Sequence, residues 1–506
     1  MDSNDISLLI GRAERESDIN PRLYQARVGA LSALGYAPVA LFGLIALICL
    51  IMVLVSLISG NGVPALAVVI ALICGGIAAL IARSLMTSND APIAREVEPD
   101  DAPALFAALD DVLQRMAVSK NGKTEYALVH SVSIDGSFQA KLYQVAQRGV
   151  FGGYENHLHL GVPLLAALSI AELKAVLAHE IGHFGREHER FPAWVYRQRD
   201  VWRALQVRFE SPSNLGEQLL AKFVRWYAAY FRAYTFVMAR NLEYSADRAA
   251  AKATHPGAVA NALTKLALMK RFLEQDFWPR LMSQVETAPE PPYLPYSMMP
   301  RAFGMALKQW SRQDWLEKCL RTLPAEGDTH PSLGDRFAAL NIYPAPPTYS
   351  ADRSSLSLFG AQSAAILKWC DQAWLKENGI TWRQRHKAIG ELKWKISEYE
   401  RTPASELKAE DLWQKILLLL DLGDEGRATE ELHILVAREP SMAKAQLLLG
   451  KMLLQAGNEQ GLQNLHAAAK HDNNIIEEAA GTGYNYLIDR GRKSEAQRFW
   501  TRVCAA

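Results

Sequence analysis

Two long stretches without a single charge constrain this chain more than anything else in it. Residues 38–58 read PVALFGLIALICLIMVLVSLI and residues 64–81 read PALAVVIALICGGIAALI. Each is close to the roughly 20 apolar residues that a helix needs to cross about 30 Å of hydrocarbon. A core helix of a soluble protein rarely runs so far without a polar face. The connector Ser59-Gly60-Asn61-Gly62-Val63 is short and turn-like, so the two runs are expected to form a helical hairpin in a lipid bilayer. Some 35 mostly polar residues come first, unlike a cleavable signal, which opens on a short basic region and a short apolar run. Arg22 and Arg27 precede the first run and Arg83 closes the second, while the connector has no basic residue. Basic residues favour the cytoplasmic side, which puts both ends of the hairpin, and everything after it, in the cytoplasm.

The chain has 506 residues, enough for two to four domains of ordinary size. Its formal net charge of +1 gives no reason to expect a nucleic-acid partner. Cys49, Cys74, Cys319, Cys370 and Cys504 are scattered and odd in number, which fits a reducing compartment better than a disulfide framework.

Beyond the hairpin, Ser88-Asn89-Asp90-Ala91-Pro92 reads as a breaker and residues 103–117 have helical periodicity. Strand-prone sequence covers Glu125 to Asp135 and again His157 to Gly161, with Gly152-Gly153 as a turn between them. Ser169-Ile170-Ala171-Glu172 is a capping box opening the helix AELKAVLAHEIGHFGREHER. Residues 214–250 read as one long helix or two short ones. Within them, residues 219–238 carry Lys222, Arg225 and Arg232, costly in a lipid-exposed span. That stretch suits an amphipathic helix on the membrane surface or one packed on the protein core. Tyr343-Pro344-Ala345-Pro346-Pro347 marks a boundary. In the last third, Gly423, Gly457 and Gly491 recur every 34 residues. The same shift aligns Leu419, Leu453 and Leu487, then Leu420, Leu454 and Ile488, then Ala428, Leu462 and Ala496. Some two and a half such helix-turn-helix units resemble tetratricopeptide repeats.

The chemistry sits on the helix opened by the capping box. His179 and His183 are one turn apart on one face, so both imidazoles can bind one zinc ion. Glu180 lies beside them, placed to take a proton from water activated at the metal and return it to a leaving group. The apolar flanks LKAVLA and IGHF put this helix against a core rather than in solvent. Gly182 costs about 1 kcal/mol of helix propensity relative to alanine, and a residue that small lets another backbone come close. A hydrolytic zinc needs a third protein ligand. Arg240-Asn241-Leu242-Glu243-Tyr244-Ser245-Ala246-Asp247 offers one: Glu243 as ligand, and Asp247, one turn on, to accept a hydrogen bond from a zinc histidine. Asp247 could instead pair with Arg240 or Arg248. His157 and His159 share a strand face and could bind metal, though a plain polar face accounts for them better. His188 fits a surface position. Trp382-Arg383-Gln384-Arg385-His386-Lys387 suits a solvated helix face more than a docking site.

Taken with ARNLEYSADRAA, AELKAVLAHEIGHF resembles the HtpX-like and CAAX prenyl endopeptidase-like family of membrane-associated gluzincin proteases. Arg240, Glu243, Tyr244, Ala246 and Asp247 match its R-x-x-E-[FY]-x-A-D motif, and Thr329 to Phe337 is similar to its HPxxxxR segment. By that resemblance His330 reaches the active site and Arg336 braces it. The resemblance covers roughly residues 100–340. The family's Asn-Ala-Phe-like element on a substrate strand is replaced by Gly136-Ser137-Phe138-Gln139-Ala140, which leaves the substrate strand open.

The expected protein is therefore α+β and mainly α. A polar segment (1–35) leads to the membrane hairpin (36–85) and a gluzincin-like metallopeptidase domain (86–342). A Pro-rich linker with a helical connector (343–410) and a tetratricopeptide-like solenoid (411–506) follow. The resemblance implies one Zn2+ per chain held by His179, His183 and Glu243, with Glu180 and His330 catalytic and Asp247, Arg240 and Arg336 around them. It implies hydrolysis of internal peptide bonds, quality control of membrane or membrane-proximal proteins, polypeptide substrates, and a protein partner on the repeats. The location implied is a bacterial inner membrane. Prenyl-protein processing fits poorly with two spans. The rival from another class is a non-catalytic membrane adaptor with a structural zinc, which has no need of Glu180.

Overall fold

A computed structural model describes residues 3–60, 62, 64–86, 94–120, 123–125, 129–150, 154–183, 190–208, 210, 215–310, 313–322, 330–343, 346–347 and 354–505. The chain divides into two compact units. One comprises Met1–Arg280 and Tyr293–Lys376, the other Leu281–Pro292 and Glu377–Ala506.

The first unit opens with helices α1 (Ser3–Ile19) and α2 (Pro21–Leu34), then the apolar α3 (Ala37–Ile58) and α4 (Ala65–Met86), which pack on one another. Among the described residues, α3 is the one helix long and apolar enough to cross a membrane; the described apolar stretch of α4, Ala65–Leu80, is shorter. The breaker at 88–92 and the Gly152-Gly153 turn lie outside the described residues.

A four-stranded sheet follows, built from β1 (Arg95–Val97), β4 (Ser131–Asp135), β5 (Ala140–Val150) and β6 (Tyr154–Gly161) in the order β1-β4-β6-β5. β4 and β6 are parallel and the other pairs antiparallel. β2 (Val118–Lys120) and β3 (Lys123–Glu125) form a separate pair. Strand alternation sorts the sheet's two faces. Val132, Ile134, Leu142, Leu158 and Leu160 are buried on one face. Ser131, Ser133, Lys141, Tyr143, His157 and His159 lie on the other, where His157 and His159 hydrogen-bond across to Ser131 and Ser133. The sequence reading assigns no strand to 140–150. Ala140 and Leu142 give it too short an apolar alternation to register.

Helices α5 (Pro103–Met116), α6 (Val162–Ala167), α7 (Ile170–Gly182), α8 (Arg190–Arg208), α9 (Leu215–Tyr234), α10 (Phe236–Ala253) and α11 (Pro256–Phe272) build the rest of the first unit with α13 (Pro295–Trp310), α14 (Gln313–Arg321) and α15 (Leu333–Leu340), while α12 (Trp278–Ser283) begins in the first unit and ends in the second. The capping box forms as expected at α7, with both Ser169 and Glu172 making their bonds. Glu172 also meets Lys265 of α11 at 2.8 Å, both side chains buried. The expected helix to Arg190 is described only to Gly182; residues 184–189, His188 among them, lie outside the described residues.

The stretch 214–250 is two helices, α9 and α10, separated at Thr235. Val224, Tyr227, Ala228 and Phe231 of α9 are buried in one core with Tyr24 and Val28 of α2 and Val195 and Trp202 of α8. The aromatic face of α9 therefore packs inside the protein, and the N-terminal residues supply part of that core.

Helix α16 (Ser363–Tyr399) begins in the first unit. In the second unit its Trp382 Nε1 donates to Ala288 O at 3.0 Å and Arg383 bonds to Glu290 at 3.0 Å. His386 Nδ1 lies 2.6 Å from Val285 O. The basic run thus holds the chain's own 281–292 segment. Six helices follow as three pairs: α17 (Ala409–Leu422) and α18 (Glu425–Arg438), α19 (Ala443–Gln455) and α20 (Gln460–His471), α21 (Ile476–Asp489) and α22 (Lys493–Cys504). The 34-residue period has a local cause. Gly423, Gly457 and Gly491 have φ of 85°, 80° and 76°, the left-handed conformation that ends a helix and favours glycine. Their N–H groups donate to Leu420, Leu454 and Ile488, and the next residues donate to Leu419, Leu453 and Leu487. Two of the three aligned apolar sets are the positions whose carbonyls accept these bonds.

Candidate active site

Helix α7 carries His179 and Glu180 in its last turn, with His183 at its C-cap. Helix α10 crosses it closely. A Cβ on Gly182 would lie 3.2 Å from the Ala246 Cα, so a larger side chain would push the helices apart. At this separation Glu243, on the turn before Ala246, faces the two histidines. His179 Nε2 is 3.2 Å from His183 Nε2 and 3.4 Å from Glu243 Oε2; His183 Nε2 is 3.7 Å from Glu243 Oε1. These three groups are the one cluster of potential metal ligands among the described residues, each offering an atom within 4.8 Å of the others.

Glu243 is fully buried, and neither carboxylate oxygen has a hydrogen-bond partner among the described residues. A buried ionised carboxylate in that state is strongly disfavoured unless a cation meets it. Burial pushes its carboxyl up, but the adjoining imidazoles outweigh that and hold it well below the usual range. Burial pushes His183 down to about 3, which keeps its ring neutral, the form that ligates metal. Burial lowers His179 too, but the Asp247 and Glu243 carboxylates overcome it and carry the ring up to about 9. The Glu243 carboxylate calls for positive charge at this point. A divalent cation on two imidazoles and one carboxylate supplies it, and that donor set suits zinc rather than the all-oxygen preference of magnesium or calcium.

Around the cluster, Asp247 Oδ1 is 3.0 Å from His179 Nδ1. Arg336 of α15 grips the same carboxylate with two bonds, Nε to Oδ2 at 2.7 Å and Nη2 to Oδ1 at 2.5 Å. Burial opposes ionisation of Asp247, but Arg336 and His179 hold its carboxyl down at about 2. Arg240 is drawn elsewhere: its guanidinium reaches Asp335 at 3.3 Å and Glu14 at 3.9 Å. His330, with 57 % of its side chain exposed, stands at the mouth with Nε2 3.9 Å from Glu243 Oε1.

Glu180 points to the sheet edge, where the Leu142 N–H donates to its Oε2 at 3.3 Å. Burial raises its carboxyl above the ordinary range. Two neighbours escape sequence reading. Tyr196 of α8 stacks on His183 with ring centroids 5.0 Å apart, and no motif spacing links the two. The other is Leu142, whose backbone carries no side-chain signal.

Gly161 N donates to Gln139 O, so odd-numbered residues of β5 bond inward to β6. Ala140 and Leu142 then present their backbone groups at the free edge beside Glu180. No curated protein and no solved structure matches the chain. Residues 103–343 match the model of peptidase family M48, whose members are zinc-dependent, and this supports a metallopeptidase of that family in that part of the chain.

Proposed function

We propose that this chain is a membrane-anchored zinc endopeptidase. The observation that carries it is the buried Glu243 carboxylate, without a hydrogen-bond partner among the described residues, facing two imidazoles with Glu180 alongside. His179, His183 and Glu243 would hold the metal, and a zinc ion there supplies Lewis acidity for attack on a peptide carbonyl. Glu180 takes the proton from the attacking water and delivers it to the leaving amine. His330, at the open side, donates to the oxyanion that develops. Asp247 orients His179, and Arg336 holds Asp247. An extended polypeptide adds to the free edge of β5 as a further strand, which brings its carbonyls past Glu180. Purified protein should carry one zinc per chain by elemental analysis and cleave an unfolded test protein such as casein. His183→Ala should lose both. Full zinc occupancy in the His183→Ala, Glu243→Ala double variant would refute the ligand set.

Helices α3 and α4 serve in this reading as the membrane hairpin. Leu41, Leu44, Ile51 and Leu54 each stay at least half exposed, an apolar surface that water disfavours and lipid accepts. The 22 residues of α3 extend about 33 Å, enough for the hydrocarbon core. Arg22 and Arg27 before the hairpin and Arg83 after it favour a cytoplasmic catalytic domain, as in a bacterial inner membrane, and the reading extends to a role in quality control of membrane-proximal proteins. The repeat helices then offer a surface for a protein partner. A reporter placed at the N-terminus, and another after Arg83, should both read cytoplasmic. Protection of the catalytic domain from added protease in inside-out vesicles would reverse the orientation.

A further inference from the structure

Helix α8 touches the ligand histidine His183 through Tyr196, and about one turn further on its Arg199 reaches Thr235, the N-cap of the helix that carries Glu243. We propose that Arg199 of α8 is a positioning residue for the metal site, setting the bend from which α10 departs; this rests on the zinc reading above. The bend is at Thr235 (φ −89°, ψ 7°), between α9 and α10. Bending a helix turns carbonyls away from its ladder, and buried carbonyls need other donors. Arg199, only 6 % exposed, donates through one nitrogen to Arg232 O at 2.5 Å and to Thr235 Oγ1 at 2.6 Å. The Thr235 hydroxyl passes the contact on to Phe231 O at 2.6 Å. From the other side the Tyr24 hydroxyl donates to Tyr234 O at 2.8 Å. Three side chains thus hold one bend with fixed geometry.

The bend matters because of leverage. Glu243 lies eight residues past Thr235, about 12 Å along the helix axis, so a change of about 5° at the bend carries its carboxylate about 1 Å. Ligand distances at a zinc site tolerate about 0.2 Å. The Gly182–Ala246 contact and the Arg336–Asp247 pair hold α10 beyond Glu243. Arg199 and Tyr24 hold it where it starts, so Glu243 is fixed from both ends. A buried arginine that merely filled space would leave the metal indifferent to its loss.

The test uses full-length protein in detergent, as wild type, Arg199→Met, Arg199→Lys and Tyr24→Phe. Each is titrated with a competing zinc chelator and examined as the cobalt(II) form, whose visible absorption reports coordination geometry. Arg199→Met should bind zinc about ten- to a hundredfold more weakly, the scale seen when a ligand's support is removed, with an altered cobalt spectrum. Arg199→Lys, which keeps one donor, should fall between it and wild type. Tyr24→Phe should weaken binding in the same sense and by less. Folded Arg199→Met with wild-type zinc affinity and cobalt spectrum overturns the proposal. Should Arg199→Met fail to fold, Tyr24→Phe decides, and wild-type values there overturn it equally. A wild type that binds no metal instead removes the zinc reading itself, and this proposal with it.

Discussion

Glu180→Gln should fold, keep its zinc and lose two to four orders of magnitude in turnover, the usual contribution of a general base. The substitution is nearly isosteric. The amide oxygen can still accept the Leu142 N–H, so the contact between α7 and the β5 edge survives. His179, His183 and Glu243 are untouched, so metal content should match wild type. What the amide lacks is the ability to take a proton from water and give it to the amine. The loss should therefore fall on kcat, with little change in KM for a substrate held along β5. Steady-state cleavage of a labelled peptide, with zinc measured on the same sample, decides it. Wild-type kcat with full zinc would sink the assignment of Glu180 as the general base.

Arg336→Met should cost the fold about 3–5 kcal/mol, the range for breaking a buried ion pair by removing one partner. Asp247 is 1 % exposed, and the two bonds from Arg336 are what make its charge tolerable there. Without the guanidinium the carboxylate must shed its charge or draw in water. Either way its hold on the His179 ring at 3.0 Å loosens. Zinc affinity should drop about ten- to a hundredfold alongside. The double variant Arg336→Met, Asp247→Asn should be less unstable than the sum of the two singles, because it leaves no buried charge alone. Chemical denaturation of the four proteins measures this cycle. Strict additivity would show that the two side chains do not act as a pair.

Several features are legible in the sequence because their causes are local. Histidines four residues apart share a helix face wherever that helix sits, and Glu243 and Asp247 share one for the same reason. The Ser169 capping box and the left-handed glycines of the 34-residue period are bonds between residues a few positions apart, so each leaves a fixed spacing. Charge-free runs need no partner to be recognised. The tertiary structure alone decides what those faces meet. The Arg336 bond to Asp247 spans 89 residues and the Tyr24 bond to Tyr234 spans 210, and no periodicity encodes which helix will lie against which. The same holds for Tyr196 on His183, for Arg240 turning to Asp335, and for the Leu142 N–H beside Glu180. The N-terminal stretch reads as merely polar because its buried apolar side chains among the described residues, Ala13, Tyr24 and Val28, are few and widely spaced. Their apolar surface has value only once α8 and α9 close over it, since burial depends on the surface that covers a side chain and not on its neighbours in the chain.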